Sequence, residues 1–267
     1  MFPGARADRE SADYVVVGAP LDASTTFQPG TRFGPRRVRH FAQSFDDYDH
    51  HTARSFTDLA VHDHGDVRPG DDAAEYLTFL RGTLADVHDE GAVPLTVGGE
   101  HTVTVAGVRA VDPDVFVCLD AHLDLREEYA GNELNHATVT RHALDVADEA
   151  VLLGARTGSE AEWERASEAD VTVVPPEAVA DWSPPDFGER SVYCSVDIDA
   201  ADPGVAPGTG TLEPFGLDAA TMHEVVRSVA PAADGFDVVE VNDRDDGQAA
   251  TLAAKLLRAF VHAHADG

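Results

Sequence analysis

The sequence predicts an α/β protein: a single domain with three αβα layers around a mostly parallel sheet. Three observations carry that expectation. Short Val-rich apolar runs recur along the whole chain, helical periodicities separate them, and neither a Ser/Gly linker nor an internal repeat interrupts the alternation. Continuous apolar runs of this kind suit strands buried on both faces, and strands alternating with helices build parallel sheets. A chain of 267 residues with 43% hydrophobic content can fill one large core.

The first strand is Tyr14 to Gly18 (YVVVG). A helix follows, with Ala74, Leu77, Leu80, Leu84 and Val87 on one face. Ala92 to Val97 (AVPLTV), Val115 to Leu119 (VFVCL) and Ala150 to Leu153 (AVLL) are the next strands. Val171 to Val174 (VTVV), Ser191 to Ile198 (SVYCSVDI) and Phe236 to Val241 (FDVVEV) complete the set. The Pro-rich stretch Pro175 to Pro185 reads as a connection inside the domain. A closing helix places Leu252, Leu256, Phe260 and Val261 on one side, where the Lys255 stem can also lie. His50, His51, His62 and His64 read as surface or loop residues.

Charge narrows the function classes. Against 49 Asp and Glu stand 19 Lys and Arg, a net charge of −30. Phosphate backbones need a basic footprint, so nucleic acid is excluded as a partner. There is no apolar run long enough to span a membrane, and MFPGARADRE lacks the apolar core of a secretion signal. The expectation is a cytoplasmic protein without a membrane partner. Cys118 and Cys194, both inside apolar runs, are expected as buried reduced thiols. Acidic residues are spread over the whole chain, and Lys255 is the only lysine. Concentrated salt would screen that self-repulsion, so a halophilic host is expected.

Open parallel sheets bind ligands beyond the carboxyl ends of their strands. Asp120-Ala121-His122-Leu123-Asp124 closes the VFVCL strand, and extended backbone would project Asp120, His122 and Asp124 to one side. Taken alone, this is either a set of metal ligands or a polar loop with a stray histidine. Asp197 and Asp199 close the SVYCSVDI strand with the same spacing, as metal ligands or as a helix cap. Gly98-Gly99-Glu100-His101 follows AVPLTV; the glycines permit a tight turn, and His101 opens a helix. Together two histidines and four aspartates at strand ends suit a two-metal site. The donors are oxygen-rich with imidazole and no thiolate, which favours Mn2+ over Zn2+. Two ions about 3.5–4 Å apart can share a hydroxide and bring its pKa near neutral.

At this point the residues resemble a known family. GGEHTVT (98–104), DAHLDLR (120–126), SVDIDAADPGVAPGTGTLEP (195–214) and VVEVN (238–242) are similar to the signature stretches of the ureohydrolases, the arginase and agmatinase enzymes. PGTRFGPRRVR (29–39) resembles their N-terminal motif, and the likeness covers about residues 14–262 of a single 1–267 domain. The resemblance implies an arginase-like fold and two Mn2+ per subunit. His101 would bind one ion and His122 the other, Asp120 and Asp197 would bridge, and Asp124 and Asp199 would complete the shells. A metal-bridging hydroxide would attack the guanidinium carbon, Glu240 would hold the guanidinium, and His136 or Asp124 would protonate the departing amine.

LDLREEYAGNELNHATVTRHA (123–143) is similar to archaeal-type agmatinases, and Thr157 and Gly158 after Gly154-Ala155-Arg156 depart from arginases. The implied reaction is agmatine to putrescine and urea, a step of polyamine biosynthesis. Arginine, guanidinobutyrate or another guanidino compound is the alternative. Glu127, Glu128 and Glu133 read as solvated charges. Ala137 and Phe215 stand where many relatives have glycine, beside the expected pocket. Family resemblance also implies a homotrimer or homohexamer. A one-zinc deacetylase-like hydrolase and a silent binding protein are the more distant readings.

Overall fold

Ten strands and eight α-helices follow one another in the computed structural model, which describes residues 1–68 and 72–267. The strands are β1 (Tyr14–Ala19), β2 (Tyr48–Asp49), β3 (Arg54–Ser55), β4 (Val61–Asp66), β5 (Val93–Gly98), β6 (Val115–Leu119), β7 (Glu149–Leu153), β8 (Val171–Val174), β9 (Val192–Asp197) and β10 (Ala233–Val239). The helices are α1 (Gly34–Phe41), α2 (Ala73–Asp89), α3 (Thr104–Val111), α4 (Val139–Ala143), α5 (Glu160–Arg165), α6 (Pro176–Val179), α7 (Ala219–Val229) and α8 (Gln248–His264). Eight strands form one sheet in the order β4-β1-β5-β10-β9-β6-β7-β8, and every pairing in it is parallel. β2 and β3 make a separate antiparallel ribbon.

Alternation along the central strands builds the two outer layers. Val115, Val117 and Leu119 of β6 join Phe236, Leu256 and Phe260 on the face covered by α1, α7 and α8. Phe116 and Cys118 point the other way, to Val105, Val108 and Tyr193 under α3 and α4. With both faces covered, β1, β6 and β9 are buried at every residue, which explains the unbroken apolar sequence of β1 and β6, while β9 carries the buried polar Ser195 and Asp197 toward its carboxyl end. Cys118 and Cys194 are buried free thiols, as expected. Among the described residues no helix is long and apolar enough to cross a membrane.

One strand departs from the sequence reading. β4 is VHDHGD, and its His62 and His64 lie on an edge strand, not in a loop. Polar side chains are tolerated there because only β1 pairs with it. His62 Nδ1 meets the Ala7 carbonyl at 2.9 Å, and His64 is the extra residue where the register slips between Val16 and Val17. The buried Asp63 of β4 takes a paired contact from Arg39 of α1, at 2.8 and 2.9 Å. His50 and His51 are exposed.

Candidate metal centre

The four central strands β5, β10, β9 and β6 deliver the site from their carboxyl ends. The chain leaves β5 through Gly98-Gly99, and a Cβ on Gly99 would lie 2.5 Å from the Leu21 nitrogen. Only glycine allows that approach of two backbones. His101 then opens a 3-10 turn, His101–Val103. Asp120, His122 and Asp124 follow β6; Asp197 ends β9, and Asp199 sits in the next turn, Ile198–Ala200.

All six candidate ligands come together. His101 Nδ1 lies 2.9 Å from Asp124 Oδ2, 3.2 Å from Asp120 Oδ2 and 3.5 Å from Asp197 Oδ2. His122 Nδ1 lies 3.0 Å from Asp199 Oδ2 and 3.5 Å from Asp120 Oδ1. Asp120 thus turns one oxygen toward each imidazole, the disposition a bridging carboxylate requires. Five of the six residues are buried; His122 is partly open to solvent.

Burial and mutual proximity perturb the titration of these groups. Burial, then Asp199 and Asp120, push the Asp197 carboxyl well above its ordinary range. Burial and Asp120 raise Asp124 to about 7. Asp120 is the exception, because hydrogen bonds from both histidines outweigh its burial and hold it low. In turn the carboxylates hold both histidines well above their usual range, although burial opposes this. Ionised carboxylates out of water are costly unless paired, and four around two imidazoles suit divalent cations with oxygen and nitrogen donors. The residues therefore fit a pair of ions.

Glu240 stands beside the cluster. Its Oε1 accepts from the His101 backbone N–H at 2.8 Å, while Oε2 lies 3.4 Å from where a Cβ on Gly210 would be. Burial chiefly, with Glu100 and Asp199 adding, pushes its carboxyl up to about 8. Asp124 and Glu240 also share a left-handed backbone, with φ of +50° and +62°. Such strain in non-glycine residues gathers at functional sites.

Among the described residues His136 makes no hydrogen bond or ion pair with the six. Its Nε2 lies 3.0 Å from Thr26 Oγ1, and its backbone N–H donates to Ser24 Oγ at 3.0 Å. Burial, then His101 and His122, lower its imidazole to about 4. Three residues without a role in the sequence reading hold this corner. Glu100, fully buried, accepts from Ser24 N at 2.7 Å, Ser24 Oγ at 2.8 Å and Thr25 N at 3.1 Å. Asn135 caps the turn His136–Thr138 and donates to the Ser24 carbonyl at 3.1 Å. An Asn followed by a helix start was legible as a cap; the Glu100 and Ser24 partnership, 76 residues apart, was not.

Cys118 also lies closer than expected, with Sγ 3.9 Å from His101 Nε2 and 4.0 Å from Asp120 Oδ2. It lies in β6 and precedes Asp120, which follows the strand end, by two residues, so the period of the strand already suggested one face for both. Burial raises its thiol to about 12, which keeps it protonated. Phe215 is 87% exposed, with φ of +68°.

Comparison with known proteins supplies the family and the fold. The sequence profile of the arginase family matches residues 12–262. The chain belongs to the arginase family. This arginase-family chain is 32% identical to an agmatinase of Bacillus subtilis over 97% of its own length and 94% of the relative's. It is equally 32% identical to an N(1)-aminopropylagmatine ureohydrolase of Thermococcus kodakarensis, over 93% and 89% of the two chains. The crystal structure of an agmatine ureohydrolase of Thermoplasma volcanium superposes with a TM-score of 0.92 at 32% identity, covering 99% of this chain and 94% of that one. The arginase-like αβα fold is thereby established, and the chain is a hydrolase of the ureohydrolase class. Hydrolysis of guanidino compounds at a binuclear metal centre is that family's chemistry.

Proposed function

We propose that this enzyme hydrolyses agmatine to putrescine and urea with two Mn2+ ions. The observation that carries the two-ion reading is Asp120, whose separate oxygens face His101 and His122. His101, Asp120, Asp124 and Asp197 would hold one ion; His122, Asp120, Asp197 and Asp199 would hold the other. Bound there, the pair would supply a water acidified to near neutral pH, which an unreactive, resonance-stabilised guanidinium carbon needs. The oxygen-rich donor set supports manganese over zinc.

The chain's own residues do the rest. Glu240 keeps one oxygen on the His101 N–H and presents the other to the forked guanidinium donors. A cation also lowers the cost of ionising so buried a carboxyl. His136, neutral at working pH, would take up a proton released from the attacking water and pass it to the departing nitrogen, because an amide anion is too basic to leave. Asp124 is the second group that can carry that proton.

Substrate choice rests on the loops around Glu240. Arg32 lies 3.1 Å from Asp22, Arg244 bonds the Pro29 carbonyl at 3.3 Å, and Arg156 donates to the Asp199, Ala200 and Glu213 carbonyls among others. These engagements disfavour a substrate that carries a carboxylate and support an amine-ended one. Aminopropyl-substituted agmatine is the second reading, because the Thermococcus relative is as similar as the agmatinase. Urea release from agmatine, its aminopropyl derivative, arginine and guanidinobutyrate tests the assignment. Agmatine is expected to have the highest kcat/KM, and preference for arginine or guanidinobutyrate would contradict the loop argument.

A further inference from the structure

Beneath the candidate ligands runs a second polar layer to which the chemistry above gives no task. Thr96 of β5, Asp237 of β10, Ser195 of β9 and Cys118 of β6 stand in cross-strand register on four neighbouring strands. A fully buried carboxylate in the middle of a parallel sheet is costly and has to be hydrogen-bonded. Asp237 is 0% exposed, and both its oxygens are taken. Ser195 Oγ donates to Oδ1 at 2.6 Å, and the Tyr193 hydroxyl donates to Oδ2 at 2.9 Å. Tyr193 reaches that position only because Gly107 of α3 has no side chain; a Cβ there would collide with the phenol oxygen.

Ser195 also faces upward. Its Oγ lies 3.4 Å from His101 Nε2, on the ring nitrogen not turned to the three aspartates. With its hydrogen committed to Asp237, Ser195 Oγ offers His101 only lone pairs. A neutral His101 accordingly carries its hydrogen on Nε2 and leaves the Nδ1 lone pair to a cation. The His122 ring has no such support among the described residues, its partners being the Asp120 and Asp199 carboxylates at Nδ1.

We infer that Asp237 and Ser195 act as a positioning pair for His101, fixing the ring from behind and setting the affinity of the His101 ion but not that of the His122 ion. This rests on the two-ion reading, so the test separates the two claims. The metal-stripped full-length protein is titrated with Mn2+ while the electron paramagnetic resonance signal of the free ion is followed. Melting of the metal-free form is recorded alongside. The parent protein is expected to bind two ions; fewer than two would overturn the reading on which the inference rests.

Ser195→Ala is expected to weaken one ion by about 10–100-fold and spare the other, while the metal-free melting temperature falls because Asp237 Oδ1 loses its donor. Ser195→Thr, which keeps the hydroxyl, restores binding. Asp237→Asn, which keeps the shape and alters the acceptor, repeats the selective loss. Adding His122→Asn to Ser195→Ala should remove the spared ion and leave only the weakened one, which assigns the weakened one to His101. Parental affinity for both ions in Ser195→Ala, or equal weakening of both, would overturn the inference.

Discussion

Asp124 and Glu240 hold carboxylates in the site on left-handed backbone, a conformation that costs about 1–3 kcal/mol in a non-glycine residue and persists only where neighbours enforce it. For Glu240 the enforcement is visible: its N–H donates to the Gly99 carbonyl at 2.8 Å while Oε1 takes the His101 N–H. The candidate ligands were legible because Asp120, His122 and Asp124 repeat at strand spacing directly after an apolar run. Ser195 and Asp237 were not, because a single Ser or Asp inside a buried strand carries no pattern. Asp197→Ala is expected to abolish two-ion loading, measured by metal analysis after gel filtration; retention of both ions would refute the bridging role. His136→Asn should keep both ions and lose about 10²–10⁴-fold in turnover. The raised carboxyls also give a signed pH dependence. Asp124 and Glu240, at about 7 and 8, bind more protons folded than unfolded, as do His101 and His122 above their unfolded range. Metal-free stability should therefore fall as pH rises from about 6.5 through 8. His136 has the opposite sign but acts only below that window. The gain in melting temperature on adding Mn2+ should grow over the same interval, and a pH-independent gain would count against this set of groups.

The loop from Leu21 to Gly30 shows how a segment without regular structure is held to the site. Glu100 takes donors from Ser24 and Thr25, and Asp22 takes Thr25 Oγ1 and the Gly30 N–H, each at 2.8 Å. Ser24 in turn accepts from the backbone N–H of His136, so one hydrogen-bonded network ties the loop to the His136 turn. Glu100→Ala would orphan several buried donors and is expected to cost ~2 kcal/mol or more of stability. It should lower turnover while leaving Mn2+ stoichiometry at the parental value, since Glu100 touches none of the candidate ligands' carboxylates; loss of metal would contradict that separation. The strands and the two long helices were legible from apolar runs and periodicity. β4 was not, because an edge strand paired on one side tolerates VHDHGD, which has neither an apolar run nor a clean alternation. The β2–β3 ribbon, two residues a side, is too short to leave a signal.

A net charge of −30 acts on the molecule as a unit. The described ion pairs draw mostly on the few arginines, so most carboxylates face solvent and repel one another. We propose that the chain unfolds in dilute buffer and refolds in multimolar KCl, as one 1–267 domain with a single transition by circular dichroism; indifference to salt would refute the halophilic reading. We also propose a homotrimer or homohexamer, which light scattering in high salt decides directly. The most direct test of the whole reading is urea release by the Mn2+-loaded protein in multimolar KCl, with agmatine and arginine compared at equal concentration. Urea from agmatine well in excess of that from arginine is the predicted result. Urea from arginine in excess would contradict the substrate assignment, and urea from no guanidino compound would contradict the hydrolytic function itself.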